Sequence, residues 1–344
     1  MPFLLPDPHS TLRLHLNENT GGCSPAVVAA LRSLDARDLA AYPNAAPATA
    51  AAAKYFGVPT DWVQLTDGLD DGLRAAAEVA RVRRPLDAGV TPAAVIVDPT
   101  FEMYEIYIRG VEMDIVRVPA DANFEVSPDA LVRALSPRTR LVYLADPNNP
   151  TGRPMPDGAA LRVAEAVPDA LVLVDEAYAE FSGRTHIGPA LESHHNLIIG
   201  RTFAKAFGLA GLRIGALVAH PDALAPLGRG LPPFSVNVCA LRALEAALGD
   251  RDHLAWYLAQ TSASRNLVYE FCRGRQLTCW PSETNFVLVR LGEAAMPAVK
   301  ALAARNILIS PRAHQPGCAG TVRITAGLVE HTTRCLEALD AALG

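Results

Sequence analysis

No apolar run in this chain approaches the ~18–20 residues that a membrane-crossing helix needs. The opening segment Met1-Pro2-Phe3-Leu4-Leu5-Pro6-Asp7-Pro8 carries neither a basic region nor an apolar stretch suited to export. The six cysteines (Cys23, Cys239, Cys272, Cys279, Cys318 and Cys335) are scattered, with no Cys-x-x-Cys pair. That spacing argues against a zinc site or a disulfide framework and suits free thiols in a reducing compartment, so no metal is expected. An excess of basic charge is lacking as well. With 31 Lys+Arg against 36 Asp+Glu, the formal net charge is -5, which gives no footprint for nucleic acid or an anionic membrane surface. No internal repeat is present. The expectation is a soluble cytoplasmic protein.

What is there is a chain of 344 residues, half of them hydrophobic, long enough for a large domain with a smaller companion. Short apolar segments at 93–97, 141–144, 171–174 and 197–199 read as fully buried strands. Helical patterns, such as 70–83 and 157–166, lie between them. Near-continuous apolar strands alternating with helices predict an α/β fold with a mainly parallel sheet covered on both faces. In such sheets ligands gather at the carboxyl ends of the strands. The alanine-rich stretch 45–53 reads as the start of a helix, and 84–92 as an irregular loop. Beyond Pro232-Pro233 two long helices (237–248 and 252–273) precede short strands at 286–289, 307–309 and 322–324 and a closing helix at 330–343. This predicts a smaller C-terminal α+β domain. The expected division is 1–30 as an N-terminal arm contributing to the small domain, 31–235 as the large domain and 236–344 as the small one.

The most informative run is Arg201-Thr202-Phe203-Ala204-Lys205-Ala206-Phe207-Gly208-Leu209-Ala210-Gly211-Leu212-Arg213-Ile214-Gly215. A lysine just past a buried strand is readily desolvated, which lowers its pKa and makes the amine nucleophilic towards a carbonyl. Arg213 offers a positive fork suited to a phosphate, Thr202 a hydroxyl, and the glycines permit close backbone approach. An amine beside a phosphate clamp is what a pyridoxal phosphate Schiff base requires; two ordinary surface cations are the bland reading. Asp175, in Leu173-Val174-Asp175-Glu176-Ala177-Tyr178, ends a buried strand, where a carboxylate is costly unless paired. Its partner is either a protonated pyridine nitrogen or the start of the next helix. Asp146-Pro147-Asn148-Asn149-Pro150-Thr151-Gly152 is a turn by composition, but an Asn between prolines can aim its amide at one ligand oxygen, and Asn149 is assigned that task. Thr66-Asp67-Gly68-Leu69-Asp70-Asp71-Gly72 precedes a helix whose first N–H groups suit an anion. Pro99-Thr100-Phe101-Glu102-Met103-Tyr104 carries two aromatics after a strand. Either could be core, and Tyr104 is taken as the one that stacks on a flat ring.

Together these residues resemble the fold-type I pyridoxal phosphate (PLP)-dependent aminotransferases, and within them the histidinol-phosphate aminotransferase branch. Asn17-Glu18-Asn19, Tyr42-Pro43, the Asn-Asn-Pro-Thr-Gly turn, Val174-Asp175-Glu176-Ala177-Tyr178, the lysine run and Val322-Arg323-Ile324-Thr325 occur in family order. The resemblance implies that Lys205 carries the Schiff base, Asp175 meets the pyridine nitrogen, Asn149 and Tyr178 meet the ring oxygen, and Tyr104 stacks on the ring. It further implies that Thr202, Arg213 and the Gly68-Leu69-Asp70 segment hold the phosphate, while Tyr42 reaches the phosphate of a neighbouring subunit in a homodimer. Arg323 takes the acidic end of the substrate, with Asn17 and Arg312 beside it. The implied activity moves an amino group between an L-amino acid, or histidinol phosphate, and a 2-oxo acid.

The sequence also departs from the family pattern. Ala204 stands where a serine usually precedes the lysine, costing one phosphate hydroxyl. The N-terminal Pro-Tyr segment is missing, and Ser310 stands where an arginine is usual, with Arg312 as the substitute if it points the same way. Two lost phosphate contacts argue against a dedicated histidinol-phosphate enzyme. A decarboxylase of the threonine-phosphate type or an amino-acid oxidase of the same fold are the alternatives, since the cofactor selects its bond by substrate orientation.

Overall fold

The computed structural model describes residues 6–83 and 86–344; residues 1–5 of the expected arm and residues 84 and 85 of the expected loop lie outside the described residues. Seven strands form the principal sheet, in the order Val63–Thr66, Gly215–Val218, Leu197–Thr202, Leu171–Asp175, Thr139–Ala145, Ala93–Asp98, Asp114–Pro119. Gly215–Val218 runs antiparallel to both neighbours, and the remaining pairs are parallel. The three central strands are buried along their whole length, which explains why they read as continuous apolar runs. The edge strand Asp114–Pro119 is mixed in exposure and interrupted by Asp114 and Arg117, and Gly215–Val218 has only 4 residues. Neither announces itself by pattern.

Successive side chains along a strand alternate between the two faces. Val142, Leu144, Val172 and Val174 enter one core with the helices Ala46–Phe56 and Ala159–Ala166. Leu141, Tyr143, Leu171 and Leu173 enter the other, where the helix Gly68–Arg83 lays down Leu69, Leu73, Ala76, Ala77 and Ala80.

The smaller unit is built on an antiparallel sheet in the order Ser310–Pro311, Thr321–Thr325, Phe286–Arg290, Thr278–Cys279. Its core takes apolar residues from Arg251–Gly274, Ala295–Ala303 and Val329–Leu343. Leu12–Arg13 pairs in parallel with Ile307–Leu308, so part of the N-terminal arm joins this unit. The expected boundary at 236 does not coincide with a change of core. Helix Val238–Gly249 buries Leu241, Ala243, Leu244 and Ala247 in the same cluster as the large sheet, and Val27 of helix Pro25–Arg32 lies there too. The physical reason is the apolar face of 238–249, which packs against the helices Pro25–Arg32 and Ala46–Phe56 of the large unit's core. No helix among the described residues is long and apolar enough to cross a membrane.

Candidate functional site

A cavity of about 620 Å³ opens at the carboxyl ends of the parallel strands and is closed from the other side by Leu16, Asn17, Ser310, Arg312 and Arg323. Lys205 enters it from the turn after strand Leu197–Thr202, and its Nζ donates to the Leu16 carbonyl at 3.1 Å. Burial, and then the charge of Arg323, lower its pKa to about 8. About a tenth of the amine is therefore neutral and nucleophilic at pH 7, a far larger share than an ordinary lysine offers.

Asp175 ends its strand inside the protein. Its Oδ1 accepts from the Ala177 N–H at 3.0 Å and its Oδ2 from the Tyr104 hydroxyl at 2.7 Å. Desolvation outweighs these bonds and lifts its pKa to about 6, the signature of a carboxylate that lacks its cation. Tyr178 is buried, receives Asn17 Nδ2 on its hydroxyl at 2.9 Å, and has its pKa raised first by that burial. Asn17 in turn bonds Thr325 through its backbone N–H and its side chain, both at 3.2 Å.

In the Asp146–Gly152 turn the two asparagines divide the work. Asn148 is buried and locks the turn, donating to Pro99 O at 2.9 Å and Thr151 Oγ1 at 3.0 Å and accepting from Thr100 at 2.8 Å. Asn149 faces the cavity, where its Oδ1 receives Arg323 Nη1. The oxygen is thereby committed, and the amide NH₂ is the group left to donate.

Arg323 is 4% exposed, with Nη2 on His15 O at 2.8 Å and Nε without a partner. Burial and then the neighbouring Arg312 push its pKa down. Arg312 does point into the same cavity. Its Nη2 donates to Ser310 Oγ at 2.8 Å, and strand pairing sets Ser310 directly opposite Arg323. Two guanidiniums without a buried carboxylate between them make an anion site.

At the opposite end Gly68 opens its helix with φ +73°, and a Cβ there would lie 2.5 Å from Arg213 Nη2. Arg213 itself has φ +52° and donates to Asp70 Oδ2 at 3.0 Å. The Asp70 carboxylate thus orients the arginine instead of facing an anion, which it would repel; only its backbone suits the role expected of it. Thr202 Oγ1 accepts from the Ala204 N–H at 3.2 Å, leaving its own proton to donate.

One expectation needs correction. Tyr104 lines the cavity but is fully buried, with its ring stacked on Tyr143 at 4.8 Å and its hydroxyl tied to Asp175, so its role is to hold the carboxylate. Phe101, half-buried, edge-on to Tyr104 and lining the cavity, has the available ring. Its place directly after Pro99-Thr100, at the strand end, was the only signal in the sequence. Tyr42 lies outside the cavity, 83% exposed and stacked on Phe234 at 4.8 Å; within one chain it meets none of the other site residues. His15, His314 and Gln315 line the cavity without having been singled out, because no motif contains them and the fold alone gathers them; Glu102 lines it too, from a segment read only for its two aromatics.

Residues 10–339 match the model of the family described as aminotransferase class I and II. Histidinol-phosphate aminotransferase from Symbiobacterium thermophilum is 36% identical over 340 residues, covering 98% of this chain and 91% of its own. The structure of histidinol-phosphate aminotransferase from Sinorhizobium meliloti in complex with pyridoxal-5'-phosphate superposes with TM-score 0.85 at 26% identity, covering 100% of this chain and 95% of that one. L-threonine-O-3-phosphate decarboxylase from Porphyromonas gingivalis superposes with TM-score 0.79 at 23% identity, covering 96% and 99%, which speaks to the fold alone. With the family model spanning nearly the whole length, the chain belongs to the class I and II aminotransferases.

Proposed function

We propose that this protein is a PLP-dependent aminotransferase whose amino donor carries an acidic group, with histidinol phosphate, named by its relatives, as the first donor to test. The observation that carries the reading is the buried pair of Lys205 and Asp175 at opposite pKa shifts in one cavity. The residues fit the cofactor: a neutral amine for its aldehyde, a buried carboxylate short of a cation for its ring nitrogen, and an arginine with helix N–H groups for its phosphate. When bound, PLP supplies an electron sink for the negative charge left on the substrate carbon.

The chain's own groups do the rest. Lys205 Nζ would hold the aldehyde and, when free, would take and return a proton at the substrate carbon. Tyr104 and the Ala177 N–H fix the Asp175 carboxylate in one orientation. Asn149 and Tyr178 would direct hydrogen bonds at the ring oxygen, with Asn17 setting the direction of the Tyr178 hydroxyl. Phe101 supplies the stacking face. Thr202, Arg213 and the N–H groups of Gly68 and Leu69 take the phosphate. Arg323 and Arg312 take the substrate's acidic group, and Arg312 stands in for the arginine missing at Ser310. The decarboxylase and oxidase readings are not favoured, since relatives 35% and 36% identical over nearly the whole chain are named aminotransferases.

We further place two copies in a homodimer. The support is the exposed stack of Tyr42 on Phe234, at 83% and 59% exposure, with Leu39 close in sequence at 63%. Six unpaired cysteines suit the reducing cytoplasm, and the common core supports moving the unit boundary from 236 to the end of helix Val238–Gly249.

The test is single-turnover mixing of the PLP-loaded protein with histidinol phosphate and a panel of L-amino acids. Loss of the visible band with release of a keto product is expected for an acidic donor, and no turnover for Lys205→Ala. Wild-type turnover by that variant, or carbon dioxide or peroxide as product, would overturn the assignment.

A further inference from the structure

Glu102 stands at the N-terminal end of helix Met103–Gly110, where a carboxylate ordinarily caps the helix. It makes no such bond. Its Oε1 instead reaches across the cavity mouth to the loop 312–320. There it accepts from Arg312 Nη1 at 3.3 Å, from Gln315 Nε2 at 3.1 Å, and at closer range from His314 Nε2. Burial pulls its pKa upward, but the donations from His314, Arg312 and Gln315 outweigh it and hold the group below the ordinary carboxylate value. Glu102 is therefore an anion at neutral pH.

The two ends of this ion pair are unequal. The Arg312 side chain is 13% exposed and that of Glu102 is 50% exposed. Arg312 is further held by Ser310 and keeps a buried, unpartnered Nε. Removing its anion would leave a buried, uncompensated charge. Glu102 can rotate into water, where a carboxylate is well solvated and a half-exposed ion pair is weak. An acidic group arriving beside Arg323 can replace the one carboxylate that is free to leave.

We propose that Glu102 is a displaceable counter-ion on Arg312, that the substrate's carboxylate or phosphate takes its place, and that Glu102 thereby sets how tightly acidic substrates are held. The inference rests on the reading that Arg323 and Arg312 face the substrate. Glu102 is a specificity-determining residue in this scheme and handles no proton. In the free enzyme it keeps the loop 312–320 tied to residues 100–102, to which Gln315 Nε2 adds a bond on Thr100 O at 3.1 Å.

Calorimetric titration of the PLP-loaded protein with inorganic phosphate and with maleate tests this. Glu102→Gln keeps an acceptor for His314 and Gln315 while removing the charge. It is expected to bind at least one anion about fivefold tighter, equivalent to about 1 kcal/mol. KM for an acidic donor falls by a similar factor and kcat is unchanged. The anion that gains identifies the group suited to Arg312. In an Arg312→Gln background the same change yields no gain, as a coupled pair requires. Unchanged or weaker binding of both anions in Glu102→Gln, or a gain that survives the loss of Arg312, would refute the proposal. The titration needs no turnover, so its result stands apart from whether any donor is transaminated.

Discussion

At the scale of single residues, Asp175 makes the sharpest claim on behaviour in solution. Its pKa is about 6 in the fold against an ordinary 3.8. Between those values the folded chain keeps a proton that the unfolded chain has released. The sign follows from linkage: stability of the cofactor-free protein falls as pH rises through this window, by about 3 kcal/mol from this group. Urea unfolding of the wild type and Asp175→Asn at pH 4 and pH 6 measures it, and the difference in slope between the two proteins isolates the carboxyl. An equal slope in both would show that another group carries the shift. Lys205, Asp175, Asn149 and Tyr178 were legible because each ends or follows a strand within an ordered motif, and Arg323 because it stands inside the motif Val322-Arg323-Ile324-Thr325 on the strand Thr321–Thr325. Tyr104 and Phe101 were not separable by type, since both are aromatics on the same turn. Only the 2.7 Å bond from Tyr104 to Asp175 assigns one to the carboxylate and leaves the other to the cavity.

Among the elements, the phosphate end relies on a close backbone contact between Gly215 and the start of helix Gly68–Arg83. A Cβ on Gly215 would sit 2.5 Å from the Leu69 backbone nitrogen, and backbone cannot yield as a flexible side chain does. Gly215→Ala is expected to destabilise the fold by about 1–3 kcal/mol, as overpacking does, and to shift the Leu69 N–H away from the phosphate. Equilibrium dialysis of PLP checks this, with retention falling more than thermal stability predicts. Retention equal to wild type would remove the Leu69 amide from the cofactor's contacts. The central strands were legible because burial on both faces demands unbroken apolar sequence. Strands Asp114–Pro119 and Gly215–Val218 were not, the first because it is a half-solvated edge and the second because of its brevity. Helix Val238–Gly249 was found by its period, but periodicity gives the direction of an apolar face and says nothing of which core receives it.

For the molecule as a whole, the exposed stack of Tyr42 on Phe234 leaves two aromatic rings largely in water. An aromatic pair so exposed suits a partner's surface. Sedimentation is expected to find a species of twice 36.6 kDa, and Tyr42→Asp should shift it towards single chains with loss of bound cofactor. A wild-type protein sedimenting as one chain would end the shared-site reading.

The site is also closed by residues far apart in the chain. His15 O meets Arg323, Asn17 meets Thr325, and Lys205 rests on Leu16 O. Each of the first two contacts spans a separation of 308 residues. At the pace of a translating ribosome that interval lasts roughly 15 to 60 s. Throughout it, the segment that finishes the site has emerged while the strand that receives it is unmade. Nascent chains of this protein are therefore inactive until almost the last residue has been added, and the newborn amino-terminal arm must be kept from wrong partners for the whole of that wait.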